Sequence, residues 1–254
     1  MFGLWSAAYR RVVRSSFATV PFYRHRWAML GRADPVLVPG RTGTHGGAVL
    51  PAEVESAMVD LVPLAGGDRE ADPSRGLGSA LGLLPSGALV ALLDGPGVRP
   101  PADLPRGARG CVLDPDVVAA DGGSTAFAEL SATLSGGGVV VVVGTDKNLA
   151  HLAGMLPAEL AARLARRPVR ELDQLDGGPY GVIHDRMLGY LGSFGACGRW
   201  HLDWPRVYAR ETSAGLAFTL LRQDSPRFVD LLVGDGVRGR VVPCPRHGTP
   251  VVLI

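Results

Sequence analysis

The chain has 254 residues, of which 46% are hydrophobic, so it can bury one large core or two smaller ones. Its formal net charge is only +2 and no block of like charges occurs, so the composition argues against nucleic acid or an anionic membrane as a partner. The apolar runs, such as residues 139–143, are too short to span a bilayer.

The N-terminus lacks the basic segment and long apolar stretch of a signal peptide, and the three cysteines cannot all pair. We therefore expect a cytoplasmic protein. Arginine supplies all but one of the 26 basic residues, beside 35 glycines and 20 prolines, which indicates a GC-rich bacterial genome.

The first two thirds of the chain alternate between helical and extended patterns. Hydrophobic residues recur at helical spacing over residues 4–20, 51–65 and 147–166, whereas residues 31–50 have the composition of a loop. The valine run 139–143, bounded by glycines, predicts a central strand of a parallel sheet. Further short strands are predicted at residues 81–84, 88–93, 110–113 and 169–172.

From residue 180 the pattern changes to short strands with turns between them. These strands are predicted at residues 200–204, 207–210, 216–221, 228–233, 241–242 and 251–254. The sequence thus predicts an α/β fold, with an α/β part over residues 1–179 and a β-rich part over residues 180–254.

Two short Cys/His pairs occur in the last quarter of the chain. Cys197 precedes His201 by four residues, and Cys244 precedes His247 by three. Thiolate and imidazole are the ligands that tetrahedral Zn²⁺ prefers, so the four residues together predict a closed, structural zinc site. Asp203, two residues beyond His201 on a predicted strand, is a candidate hydrogen-bond partner of that imidazole. The alternative is two structural cysteines beside unrelated surface histidines.

Four segments, in this order, resemble motifs of the phenylacetate–CoA ligase branch of the adenylate-forming enzymes. They are Val20-Pro-Phe-Tyr-Arg24, the Gly/Thr-rich residues 41–49, Gly178-Pro-Tyr-Gly181 followed by residues 200–211, and residues 218–235. Cys244-Pro-Arg-His-Gly248 stands where many members have Cys-x-Cys-Gly, and some members bind zinc there. The resemblance implies the large N-terminal domain of such an enzyme with a β-rich C-terminal subdomain, and with the small C-terminal domain absent.

The resemblance also implies a nucleotide site. Backbone N–H groups of the Gly/Thr loop would hold phosphate, and Asp235 would bind ribose hydroxyls. Gly47 replaces the usual Lys or Arg of that loop and no Glu is in register for Mg²⁺, so binding of ATP and Mg²⁺ is expected to be weak or absent. An ordinary flexible loop and a turn aspartate are the alternatives. The loop residues implied are Thr42, Gly43, Thr44, Gly46 and Gly47.

His184 and Asp185 are the candidate catalytic residues, as an acid–base pair at the end of a strand, although such neighbours are often surface polar residues. Three functions stay open. The first is an adenylate-forming-like enzyme of bacterial specialised metabolism that acts on an aryl or acyl carboxylic acid or its thioester, without being a complete CoA ligase. The second is an ATP-independent hydrolase or cyclase of an acyl or polyketide-like substrate, and the third is a non-catalytic binding module. An acyl carrier protein or a second chain are the candidate protein partners.

Overall fold

A computed structural model gives a mixed α/β architecture, which confirms the predicted class. The model describes residues 2–29, 44–95, 98–114, 116, 124–175, 181–222, 225–234 and 236–254, with the backbone alone at residues 28, 29 and 44. Its strands form one nine-stranded sheet and one three-stranded sheet. None of the helices in the described ranges has the length and hydrophobicity that crossing a membrane requires.

The large sheet is parallel at one end. Strand β1 lies between β2 and β3, and β4 and β5 continue the sheet beyond β3, all in parallel pairs. Strands β1 and β3 are buried along their whole length, as expected of central parallel strands. The bounds are β1 Leu89–Leu93, β2 Arg109–Leu113, β3 Val140–Gly144, β4 Ala165–Arg170 and β5 Val182–Asp185.

The other end of the large sheet is antiparallel, because β5 and β6 form a hairpin and β7, β12 and β11 follow in antiparallel pairs. These strands are β6 Gly189–Gly195, β7 Arg199–Leu202, β11 Arg240–Pro243 and β12 Pro250–Leu253. The small sheet consists of β8 Val207–Thr212, β9 Gly215–Leu220 and β10 Leu231–Leu232.

Helices cover both faces of the parallel strands. Alternate residues of β1 belong to two hydrophobic clusters, one shared with α5 and α6 and the other with α4. Ser124 and Thr145 cap the N-termini of α5 and α6 by accepting backbone N–H groups. The helices are α1 Phe2–Thr19, α2 Pro21–Met29, α3 Pro51–Ser56, α4 Leu77–Leu81, α5 Thr125–Ser135, α6 Asp146–Met155 and α7 Ala158–Ala161.

Several predictions differ from the structure. The single helix predicted over residues 147–166 is two helices, because Pro157 disfavours helical backbone at Leu156, which is extended. The strand predicted at residues 81–84 is wrong, since α4 occupies the start of that segment. Strand β6 was not predicted, because it contains Gly189, Gly192 and Gly195, which lower strand propensity.

The N-terminal helices α1 and α2 pack against the small sheet and the chain around it. Trp5 donates its indole N–H to the Val207 carbonyl at 2.9 Å. The buried Tyr23 hydroxyl accepts the Val229 N–H at 2.7 Å and donates to the Arg227 carbonyl at 3.1 Å. The first motif segment, which contains Tyr23, thus contacts the fourth, which contains residues 227–229. The division of the chain into an α/β part over residues 1–179 and a β-rich part over residues 180–254 stays a prediction.

Replacing Tyr23 with Phe should destabilise the fold by about 1–3 kcal/mol, because it leaves the buried Val229 N–H without its acceptor. Urea denaturation monitored by tryptophan fluorescence would measure the change in the free energy of unfolding. A variant as stable as the wild-type protein would contradict this role of the hydroxyl.

Candidate metal centre

Four side chains converge where the hairpin β6–β7 meets the hairpin β11–β12. The ligand atoms of Cys197, His201, Cys244 and His247 all lie within 4.8 Å of one another, so this cluster could hold a metal ion. The Cys197 and Cys244 sulfurs are 3.9 Å apart, and the Cys244 sulfur lies 3.5 Å from Nδ1 of His247. Nε2 of His201 lies 2.9 Å from the Cys197 sulfur. The residues that the sequence predicted as metal ligands are therefore brought together.

Strand pairing explains this convergence over more than 40 positions of sequence. Cys197 lies in the turn between β6 and β7, and His201 follows on β7. Strand β12 pairs with both β7 and β11, with Val251 opposite His201, so the β11–β12 turn that carries Cys244 and His247 lies beside β7. Gly195 leaves room for the imidazole, since a Cβ there would lie 2.8 Å from Cδ2 of His201.

A hydroxyl orients the His201 ring. Nδ1 of His201 lies 2.8 Å from Oγ1 of Thr249, which leaves Nε2 directed at Cys197. The sequence-based candidate for this contact, Asp203, instead forms a buried ion pair with Arg206 at 3.1 Å. Thr249 was missed because its contact with His201 spans 48 positions and no sequence motif marks it.

The cluster favours the forms of its groups that bind metal. Burial, followed by the charges of His247 and Arg199, lowers the pKa of His201 and keeps its imidazole neutral. Burial raises the pKa of the Cys244 thiol, but hydrogen bonds from the backbone N–H groups of Arg246 and His247 and from Cys197 outweigh it, so the net shift is downward. A metal ion binds the neutral form of histidine and the deprotonated form of cysteine, and both pKa shifts favour these forms.

The Gly/Thr loop packs against the small sheet rather than against the cluster. His45, Gly46 and Gly47 are consecutive residues with positive φ, which suits the two glycines. A Cβ on Gly46 would lie 3.1 Å from Cβ of Thr212 in the β8–β9 turn. Of the other predicted nucleotide-site residues, Thr44 is described by its backbone, while Thr42, Gly43 and Asp235 lie outside the described residues.

Asp230, which the sequence did not single out, anchors this loop. Its buried carboxylate accepts hydrogen bonds from Tyr9 of α1 and from Arg210 of β8, at 2.9 Å in each case. Arg210 also donates to the Gly46 carbonyl, and the Asp230 carbonyl accepts the Val49 N–H. One aspartate therefore links the loop, helix α1 and the small sheet. Its positive φ of 54° has no signal in the sequence around it.

The predicted acid–base pair has local hydrogen bonds of its own. Nε2 of His184 lies 2.9 Å from the Pro73 carbonyl, and the Asp185 carboxylate accepts the N–H groups of Met187 and Leu188 in the β5–β6 turn. Burial lowers the pKa of His184, although the Pro73 carbonyl and the charge of Asp185 partly oppose this shift. These contacts give both residues a structural role, and a catalytic role stays a prediction.

A comparison of the sequence with protein family models finds no family that matches, and a comparison with curated proteins finds no match. The functional interpretation therefore depends on the geometry and donor chemistry of the chain itself.

His184 should make stability depend on pH. Its folded-state pKa lies below the ordinary value of 6.5, so the unfolded state takes up a proton first as the pH falls. The stabilisation from the neutral ring is fully present above pH 6.5, the ordinary pKa. It is lost as the pH falls from that value toward the lower pKa of the folded state. His184→Gln should therefore lose less stability than the wild-type protein between about pH 7.5 and 5.5.

Denaturation curves across this pH range would check the difference. His151→Gln, at an exposed position on α6, is the matched control and should follow the wild-type profile. Parallel pH profiles for the wild-type protein and His184→Gln would contradict the assignment.

Proposed function

We propose that this chain is a zinc-stabilised relative of the adenylate-forming enzymes that binds an aryl or acyl carboxylic acid, or its thioester. The observation that carries the proposal is the proximity of the segments that resemble motifs of these enzymes. The first segment contacts the fourth through the Tyr23 hydroxyl. The Gly/Thr loop packs on the β8–β9 turn, and Gly215 of that turn lies against Gly236, next to the predicted ribose ligand Asp235.

Zinc suits the four-residue cluster by donor type and by spacing. Two thiols and two imidazoles are a common structural zinc set, and tetrahedral Zn²⁺ with metal–sulfur distances of about 2.3 Å separates its ligand atoms by roughly 3.5–3.8 Å. The sulfur–sulfur distance of 3.9 Å and the Cys244–His247 distance of 3.5 Å fit this spacing. The Cys197–His201 distance of 2.9 Å is shorter, so these two atoms would move apart by about 0.6 Å when the ion binds. Four protein ligands leave no open position, so the role proposed is structural.

The purified protein should contain one zinc ion per chain, and its removal should lower the free energy of unfolding by several kcal/mol, since binding at such a site is coupled to folding. Elemental analysis and denaturation with and without a chelator would test this. Cys197→Ser should lose the metal. Cys111→Ser, on β2 outside the cluster, should retain it. Metal-free protein of undiminished stability would refute the site.

The loop chemistry favours a reaction with little or no dependence on ATP. Gly47 stands in place of the basic residue of the phosphate loop. The guanidinium of Arg26, near the loop, already donates hydrogen bonds to the Glu53 carboxylate at 2.6 Å and to the Ala48 carbonyl. A phosphate bound at the loop would thus lack the charge-assisted contact of a loop Lys or Arg. This favours hydrolysis or cyclisation of an acyl thioester as the second candidate function.

An aryl or acyl acid, such as phenylacetate or octanoate, should raise the melting temperature of the protein, whereas ATP should support no carboxylate-dependent release of pyrophosphate. Thermal-shift, calorimetric and pyrophosphate assays would measure these outcomes. Pyrophosphate release that depends on the acid would restore an ordinary adenylation enzyme. If no acid or thioester binds, the proposal fails and a non-catalytic module remains.

A further inference from the structure

An arginine-lined cavity lies at the opposite end of the β8–β9 hairpin from the Gly/Thr loop. It has a volume of about 650 Å³, and its lining includes four arginines: Arg75, Arg206, Arg222 and Arg227. Arg206 precedes β8 and Arg222 follows β9, whereas the loop packs on the turn between these strands. At about 3.3 Å per residue, the six-residue strands separate the two places by nearly 20 Å. The cavity is therefore separate from the site of the proposed function.

Arg206 is buried in the wall of this cavity. Only 3% of its surface is exposed, and its Nε bonds to Asp203 at 3.1 Å. Its Nη2 atom is buried and has no hydrogen-bond partner among the residues that the structure describes. Gly76 accommodates the guanidinium, since a Cβ there would lie 2.3 Å from Nη2 of Arg206. A buried charged donor without an acceptor is costly, and an anion bound within hydrogen-bonding distance of Nη2 would remove that cost.

The acidic residues of the cavity have other hydrogen bonds. Three aspartates, Asp68, Asp72 and Asp103, also line it. The Asp103 carboxylate accepts the N–H groups of Gly76 and Gly78, and Asp72 accepts the N–H and hydroxyl of Ser74. Two of the three carboxylates thus accept hydrogen bonds from the chain over residues 74–78. The lining itself, with four arginines and three aspartates, has a formal charge of +1, and Asp203 outside the lining is paired with Arg206.

Hydrogen bonds hold the two walls of the cavity together. Arg75 donates to the Ser225 carbonyl at 3.2 Å, and the Ser225 hydroxyl donates to the Asp68 carbonyl at 2.6 Å. The Arg227 N–H bonds to the Leu61 carbonyl at 3.0 Å. These three hydrogen bonds therefore join the chain over residues 61–75 to the segment after β9.

The position in the fold is one at which α/β proteins bind ligands. Ala102 and Asp103 of the lining follow the carboxyl end of β1, and Arg75 bonds through its carbonyl to Tyr190 near the carboxyl end of β5. The connection from β1 runs to β2 on one side, and the connection from β3 runs to β4 on the other, so the direction of the connections reverses between the neighbouring strands β1 and β3. The crevice outside the carboxyl ends of strands at such a switch point is the common ligand site of open parallel sheets.

We propose that this cavity binds the phosphate group of a small phosphorylated molecule. A phosphate monoester carries nearly two negative charges at neutral pH and three terminal oxygens, so it can accept hydrogen bonds from several guanidinium groups at once. A carboxylate has two oxygens and is satisfied by one bidentate arginine. Four arginines, one of them buried with an unused donor, match the phosphate better.

Calorimetric titration of the zinc-loaded protein with inorganic phosphate, at ionic strength held constant with NaCl, tests this proposal. Arg222→Gln is the main variant, because Arg222 is exposed and its loss should not impair folding. Its affinity for phosphate should fall about tenfold, as expected for loss of one charge-assisted hydrogen bond. Arg206→Lys should weaken binding further, and Arg14→Gln, at an exposed position on α1, should bind as the wild-type protein does.

Three outcomes would overturn the proposal. They are the absence of phosphate binding to the wild-type protein, equal affinity in the wild-type protein and Arg222→Gln, and acetate binding as tightly as phosphate. None of these depends on the aryl or acyl acid site, because the probes carry no aryl or acyl chain and the variants lie at the other end of the hairpin.

Discussion

The ion pair between Asp230 and Arg210 is the constraint on which the arrangement of the N-terminal elements depends. Asp230 is 1% exposed, and its carboxylate receives donors from α1 and from β8, while Arg210 extends to the Gly46 carbonyl. Loss of either partner would leave a charge in the core without compensation, at a cost of about 3–5 kcal/mol. The pair therefore fixes where helix α1 and the Gly/Thr loop sit on the small sheet.

The proposed metal centre lies beside an edge strand that buries little of its surface. The central strand β3 is buried at every position, whereas β11, at the sheet edge, has no buried residue. Short edge strands gain little from apolar burial, so another source of stability is needed there. A metal bound by the turns next to β7 and β11 would tie the edge strand β11 to the interior of the sheet.

Local patterns predicted the features that depend on local forces. The valine run gave β3, and the short Cys/His spacings gave all four members of the cluster, because residue type and spacing determine both. The partners of those residues could not be predicted in the same way. Thr249 beside His201 and Asp230 beneath the Gly/Thr loop depend on strand pairing and on contacts across as many as 221 positions. The arginine cavity likewise joins the loop over residues 63–75 to segments more than 100 positions later in the chain, and no local pattern predicts those contacts.

The contact between Trp5 and Val207 spans 202 positions, which has a consequence for biosynthesis. Chains grow from the N-terminus at about 5–20 residues per second, so helix α1 leaves the ribosome roughly 10–40 s before its partner strand β8 is made. During that interval Trp5, Tyr23 and Trp27, all buried in the finished fold, have no small sheet to cover them. The nascent protein thus presents an aromatic surface for most of its synthesis, which is the kind of surface that chaperones bind.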